Sequence, residues 1–172
     1  MRIIETKIYS YDELTDEGKE KAIEGLANIN VELEWWDSVY EDGERINFKI
    51  SGFDIDRGAY CSANFKESAE DTAHLIEKEH GESCETFSTA ENYLEERDKT
   101  IDEAPRDENG DFECEYTLDK KLDELDAEFL QSLQEDYRII LQKEYEYLTS
   151  EKSIIETIQA NEYEFTENGK LI

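Results

Sequence analysis

Positive charge is what this 172-residue chain lacks most: 18 Lys and Arg stand against 47 Asp and Glu, a formal net charge of −29. Such a surface repels phosphate, so direct nucleic-acid binding is not expected. Proline occurs once, as Pro105, and glycine only eight times, which excludes Pro-rich or Gly/Ser linkers. No apolar run approaches the roughly 20 residues of a membrane span. The N-terminus has no basic region followed by an apolar one, so no secretory leader is expected. Cysteine is limited to Cys61, Cys84 and Cys114. An odd number at irregular spacing fits free thiols in a reducing compartment better than a disulfide framework. These absences together predict a cytoplasmic protein.

Apolar residues make up 37% of the chain, with ten Tyr and seven Phe, enough to build a core. At this length one domain, residues 1–172, is the expectation. The chain is organised around Val31 to Phe65. Trp35, Trp36, Val39 and Tyr40 suit a short helix, with Trp36, Val39 and Tyr40 turned towards the core and Trp35 half exposed. After Gly43 the period changes to two. Ile46, Phe48 and Ile50 alternate with Asn47, Lys49 and Ser51, as in a strand with one buried face. Asp56-Arg57-Gly58 supplies a turn. The return strand places Ala59, Cys61, Ala63 and Phe65 on one face.

Flanking elements follow from caps and periodicity. Arg2 to Tyr9 reads as a strand. Ser10 to Glu13 has capping-box spacing, and Thr15 offers a second N-cap for a helix to about Asn28, weakened by Gly18 and Gly25. Glu67 to His80 is an amphipathic helix stopped at Gly81. Another opens at Ser83 or Thr86 and runs to about Lys99. Asn109-Gly110 is a hairpin-turn dipeptide, with Phe112, Cys114 and Tyr116 alternating beyond it as a short strand. Lys120 to Leu148 is the longest helical pattern, striped by Leu122, Leu125, Phe129, Leu133, Tyr137, Ile140 and Leu141. Ser150 caps a last helix carrying Ile154, Ile155 and Ile158. Tyr163 to Ile172 reads as a hairpin turning at Asn168-Gly169. The expected class is α+β, a helix-rich single domain with a central β-hairpin, a long C-terminal helix and a terminal hairpin.

The stretches YSYDELTDEGKEKAIEG, EWWD, SGFDIDRGAYCSANF and NEYEFTENGK resemble a family of small, uncharacterised phage and prophage proteins, some labelled antitoxin-like. The resemblance covers the first 66 residues and the last dozen. It implies a mobile-element origin and a host-cytoplasm setting, and by association raises the prospect of an inhibitor of host defence. It carries no catalytic or binding residues with it.

Chemistry-bearing patterns are weak. Cys61, His74, His80, Cys84 and Cys114 lack the paired spacings of structural zinc sites. Asp107 to Asp111 places its glycine fourth, where a calcium loop of the EF-hand type needs it sixth. No glycine-rich phosphate loop is present, and neither histidine neighbours a nucleophile pattern. No enzyme activity, metal or cofactor is expected.

The acidity is concentrated. Glu67 to Asp119 holds nineteen Asp and Glu against four Lys and Arg. A domain of this length is about 40 Å across, and duplex DNA of that length carries roughly 24 phosphates. The protein's surplus charge matches that number. Solubility alone asks for a net charge of only about 2–8. An acidic halophile surface would favour Asp and avoid Lys, whereas this chain has 32 Glu, 15 Asp and 12 Lys. The first expectation is therefore a nucleic-acid mimic that occupies the groove of a basic, nucleic-acid-binding host protein, of the anti-CRISPR or anti-restriction type. Glu70, Asp71, Glu77, Glu91, Glu95 and Asp98 are its candidate contact residues. The alternative is an antitoxin-like or regulatory module that binds one protein through Trp35 and Tyr60, its acidity incidental. A structural phage protein with a merely solvated surface is the third.

Overall fold

The computed structural model describes residues 7–172. Six α-helices and two small antiparallel sheets make a helix-rich α+β fold among the described residues. The chain separates into two compact units, one drawn from residues up to Trp35 together with Lys143–Ile172, the other from Trp36–Gln142.

In the first unit, β1 (Tyr9–Ser10) pairs antiparallel with β4 (Glu164–Phe165), Tyr9 opposite Phe165. Most of the expected first strand lies outside the described residues. The Ser10–Glu13 capping box forms, with the Ser10 N–H donating to Glu13 Oε2 at 2.9 Å, but it closes only a 3₁₀ turn, Tyr11–Glu13. Thr15 is the cap of the true helix α1 (Asp16–Gly25), its Oγ1 accepting the Gly18 N–H at 3.2 Å. α1 stops three residues short of the expected Asn28. Ser150 caps α6 (Glu151–Ala160) as expected, accepting the Ser153 N–H at 3.3 Å. Tyr11, Leu14, Ala22, Ile154, Ile158 and Phe165 form this unit's core.

The terminal hairpin turns at Gly169, whose φ of +79° suits glycine. A Cβ there would lie 2.1 Å from the Gly18 carbonyl oxygen. The two glycines therefore mark one close backbone crossing. Gly18, which by propensity weakens α1, is present because the hairpin passes over it.

The second unit begins with α2 (Asp37–Arg45), followed by β2 (Phe48–Asp54) and β3 (Tyr60–Phe65). Asn47, at φ +60°, turns the chain from helix into strand; a short polar side chain tolerates that left-handed geometry. At Gly43 a Cβ would sit 2.7 Å from the Phe48 carbonyl oxygen, so glycine lets α2 lie directly on β2. The β2–β3 hairpin forms in the expected region, Ile46, Phe48, Ile50, Cys61 and Ala63 all buried. A bulge between Ile50 and Gly52 resets its register, setting Phe53 opposite Cys61. Simple alternation would send Phe53 outward. The bulge turns it to the inner face, where Trp36 meets it edge-on at 5.6 Å and Tyr40 at 6.2 Å.

Three expectations need correction. Trp36 is half-buried, as Trp35 is, because it occupies the N-cap of α2 and not its inner face, which Val39 fills. Phe112, Cys114 and Tyr116 do not form a strand. Only a single bridge, Arg106 to Phe112, spans the Asn109-Gly110 turn, and Tyr116 belongs to the first turn of α5 (Glu115–Leu148). α5 starts five residues before Lys120 because Leu118, buried one turn before Leu122, extends the apolar stripe backwards. At 34 residues α5 is about 50 Å long.

Candidate partner-binding surface

The carboxylate face is built on α3 (Ala69–Glu79) and α4 (Glu85–Asp102). Each helix has a narrow inner face made largely of small residues, Ala69, Thr72 and Ala73 on α3 and Thr86 and Ala90 on α4, with Ile76 and Tyr93 the larger side chains among them. Small side chains let two helices approach closely, which leaves most of each circumference to solvent. Ser68 caps α3, accepting the Asp71 N–H at 3.0 Å and donating to Asp71 Oδ2 at 2.7 Å. Acidic residues in this first turn also meet the positive end of the helix dipole.

All six predicted carboxylates lie on these two helices and all are exposed. Three have local partners. Asp71 completes the cap, Glu77 lies 3.1 Å from His74 Nδ1, and Glu70 accepts from the Arg97 guanidinium at 2.7 Å. Glu91, Glu95 and Asp98 sit at helical spacings of four and three on α4. This places them in one row, neighbours about 5–6 Å apart. No cation pairs with that row among the described residues.

The two predicted aromatic contacts do not share a unit. Trp35 belongs to the first, half-buried with its ring 5.4 Å from that of Tyr145. Tyr60 belongs to the second, 49% exposed on the outer side of β3. The five Cys and His residues weighed as metal ligands are dispersed. Cys61 is buried in β3, while Cys84 and Cys114 are exposed just before α4 and α5. Among the described residues no three His, Cys, Asp or Glu converge to hold a metal ion.

Periodicity gave no sign of the polar groups that brace this surface from behind. Tyr93 on α4 donates to Asp126 of α5 at 2.6 Å, and Thr89 donates to Asp136 at 2.7 Å. Burial raises the Tyr93 phenol, with the Asp126 bond adding to it, and burial likewise raises the Asp136 carboxyl, against the pull of Thr89. Behind α3, His80 Nδ1 lies 2.7 Å from Thr86 Oγ1, and His80 Nε2 faces Asp42 Oδ2 at 3.6 Å. That order of carboxylate, imidazole and hydroxyl is the order of a nucleophile triad. Thr86 is only 2% exposed, however, and the Asp–His separation exceeds hydrogen-bond range, so the cluster is a structural brace. These partners stand 6 to 47 residues apart, and no local pattern announces them.

No family model, curated protein or solved structure matches this chain. Among the described residues no helix is long and apolar enough to cross a membrane.

Proposed function

We propose that this protein is a phage or mobile-element inhibitor that acts as an acidic nucleic-acid mimic. Its target is a basic DNA- or RNA-binding defence protein of the host cytoplasm, of the anti-CRISPR or anti-restriction type, and it acts by occupancy, without catalysis. The observation that carries this reading is the solvated row Glu91, Glu95 and Asp98 on α4, with Glu70, Asp71 and Glu77 also exposed on α3 and Arg97 of α4 bound to Glu70.

Spacing and energetic cost both support this reading. Carboxylates about 5–6 Å apart along a helix approach the spacing of phosphates along a strand. A basic groove that gains affinity by releasing counterions from nucleic acid gains in the same way from such a row. Like charges at these spacings destabilise a helix by about 0.2–0.5 kcal/mol per pair. A surface that keeps several of them without cations accepts that cost for a purpose beyond solubility.

The test is competition. A panel of purified restriction and CRISPR nucleases is assayed for DNA binding with increasing amounts of this protein. The reading requires at least one nuclease to be displaced from DNA, with inhibition weakening as salt rises. Salt-independent inhibition, or binding that leaves the nuclease on its DNA, contradicts it.

A further inference from the structure

Between α4 and α5 the second unit carries a groove of about 230 Å³. Glu96, Asn92 and Thr89 line it from α4, and Glu128, Ser132 and Leu125 line it from α5. Tyr93 and Phe129 form the floor, their rings stacked at 4.3 Å and 12°. Phe65 also stacks on Phe129, at 5.6 Å and 21°. Tyr93 and Phe129 are both buried, so the floor offers only apolar edges to a methylene stem and recognition of charge falls to the walls.

Those walls suit a guanidinium. Glu96 and Glu128 face the groove from opposite helices, and neither is paired with a cation among the described residues. Asn92, Thr89 and Ser132 add neutral acceptors. A planar guanidinium carries five donors in a fork and serves several acceptors at once, whereas an ammonium is a point charge. The chain itself supplies a precedent one turn along α4. There Arg97, its side chain 18% exposed, places its guanidinium on Glu70 with Tyr93 and Asp126 close by. The neighbouring groove has the same chemistry and no guanidinium of its own.

We infer that the α4–α5 groove is an anchoring pocket for a single arginine side chain of the basic partner. The inference rests on the nucleic-acid-mimic reading and adds to it. A row of carboxylates attracts any basic surface, while a shaped pocket selects a partner whose groove presents an arginine at the matching place.

The experiment uses the full chain, with tetra-arginine and tetra-lysine peptides as probes, followed by amide NMR at 150 mM salt. Tetra-arginine is expected to bind at least fivefold more tightly than tetra-lysine, with shifts centred on Asn92, Glu96, Glu128 and Ser132. Glu96→Gln with Glu128→Gln, and separately Ser132→Trp to fill the groove, should each erase that preference. Equal affinity for the two peptides, or shifts spread evenly over α3 and α4, overturns the inference. So does an arginine preference that survives both variants. Charge reversal of the six residues Glu70, Asp71, Glu77, Glu91, Glu95 and Asp98 replaces none of the residues that line the groove and separates the two ideas. If that variant loses nuclease inhibition while the groove variants keep both inhibition and the arginine preference, the pocket is wrong and the mimic reading stands. If the groove variants lose the arginine preference while no nuclease is ever displaced from DNA, the pocket stands and the mimic reading falls.

Discussion

The hydroxyl of Tyr137, a fully buried side chain on α5, donates to Asp42 Oδ2 of α2 at 2.8 Å. The same carboxylate faces His80 and accepts from Arg45 at 2.5 Å. Together the His80 imidazole, the Tyr137 hydroxyl and the Arg45 guanidinium hold the Asp42 carboxyl down at about 2. One acidic group therefore ties α2, the end of α3 and α5 together.

The sign of its pH dependence follows. A carboxyl depressed in the folded state adds stability that is fully present above its ordinary value near 4 and is lost as pH falls towards 2. With allowance for partial solvent screening, the contribution is on the order of 1–2 kcal/mol. Asp136, raised by burial, works in the opposite sense, and protonation of the surface carboxylates relieves repulsion throughout. The clean measurement is thus a difference: urea unfolding of wild type and Asp42→Asn at pH 5 and pH 2. The wild-type advantage should be present at pH 5 and largely gone at pH 2.

Both tryptophans are half-buried, Trp35 with its ring against Tyr145 and Trp36 with its ring against Phe53. Replacing either by Ala should cost about 1–3 kcal/mol, since only part of each ring leaves an apolar contact. Phe48→Ala, at a site with no exposure and with Tyr137 packed at 4.9 Å, should cost about 3–5 kcal/mol. Chemical denaturation of the three variants gives the ranking directly. A loss at Trp36 as large as that at Phe48 would contradict its placement at the α2 N-cap.

The glycines divide by what surrounds them. Gly169→Ala puts a methyl group into the Gly18 backbone at a positive φ and should lose well over about 2 kcal/mol. Gly58→Ala, also at positive φ but with open space around it, should lose only about 1 kcal/mol. Gly25→Ala, at the end of α1 with nothing nearby, should gain up to about 0.5–1 kcal/mol. Melting temperatures in that order support the backbone crossing between α1 and the terminal hairpin.

Local chemistry made much of this fold legible in the sequence. The Ser10–Glu13 box, the Thr15 and Ser150 caps, the Asn168-Gly169 turn and the period-two run around Phe48 all form where their residues require. The errors share one cause, which is competition from outside the local pattern. Tyr116 alternates like a strand residue, but Leu118 recruits it into α5. Trp36 is apolar enough for a core, yet the bulge after Ile50 brings Phe53 to meet it at the rim. The six surface carboxylates could be placed because solvent exposure follows from the helical stripe. The α4–α5 groove could not, since it depends on residues of two helices, Asn92 and Ser132 among them, that stand forty residues apart in sequence.

The measurement that bears most directly on the central claim is affinity capture from bacterial lysate, at stepped salt and with duplex DNA as competitor. Wild type is compared with the six-fold Lys variant at Glu70, Asp71, Glu77, Glu91, Glu95 and Asp98. All six positions are exposed on α3 and α4, but Asp71 completes the α3 cap and Glu70 holds Arg97, so the comparison uses a Lys variant whose circular dichroism shows unchanged helix content. Nucleic-acid mimicry predicts that wild type captures DNA- or RNA-binding proteins, that DNA and rising salt release them, and that the reversed protein captures none of them. Identical partners held by both proteins at the same salt, with loss only on changing Trp35 or Tyr60, would contradict it.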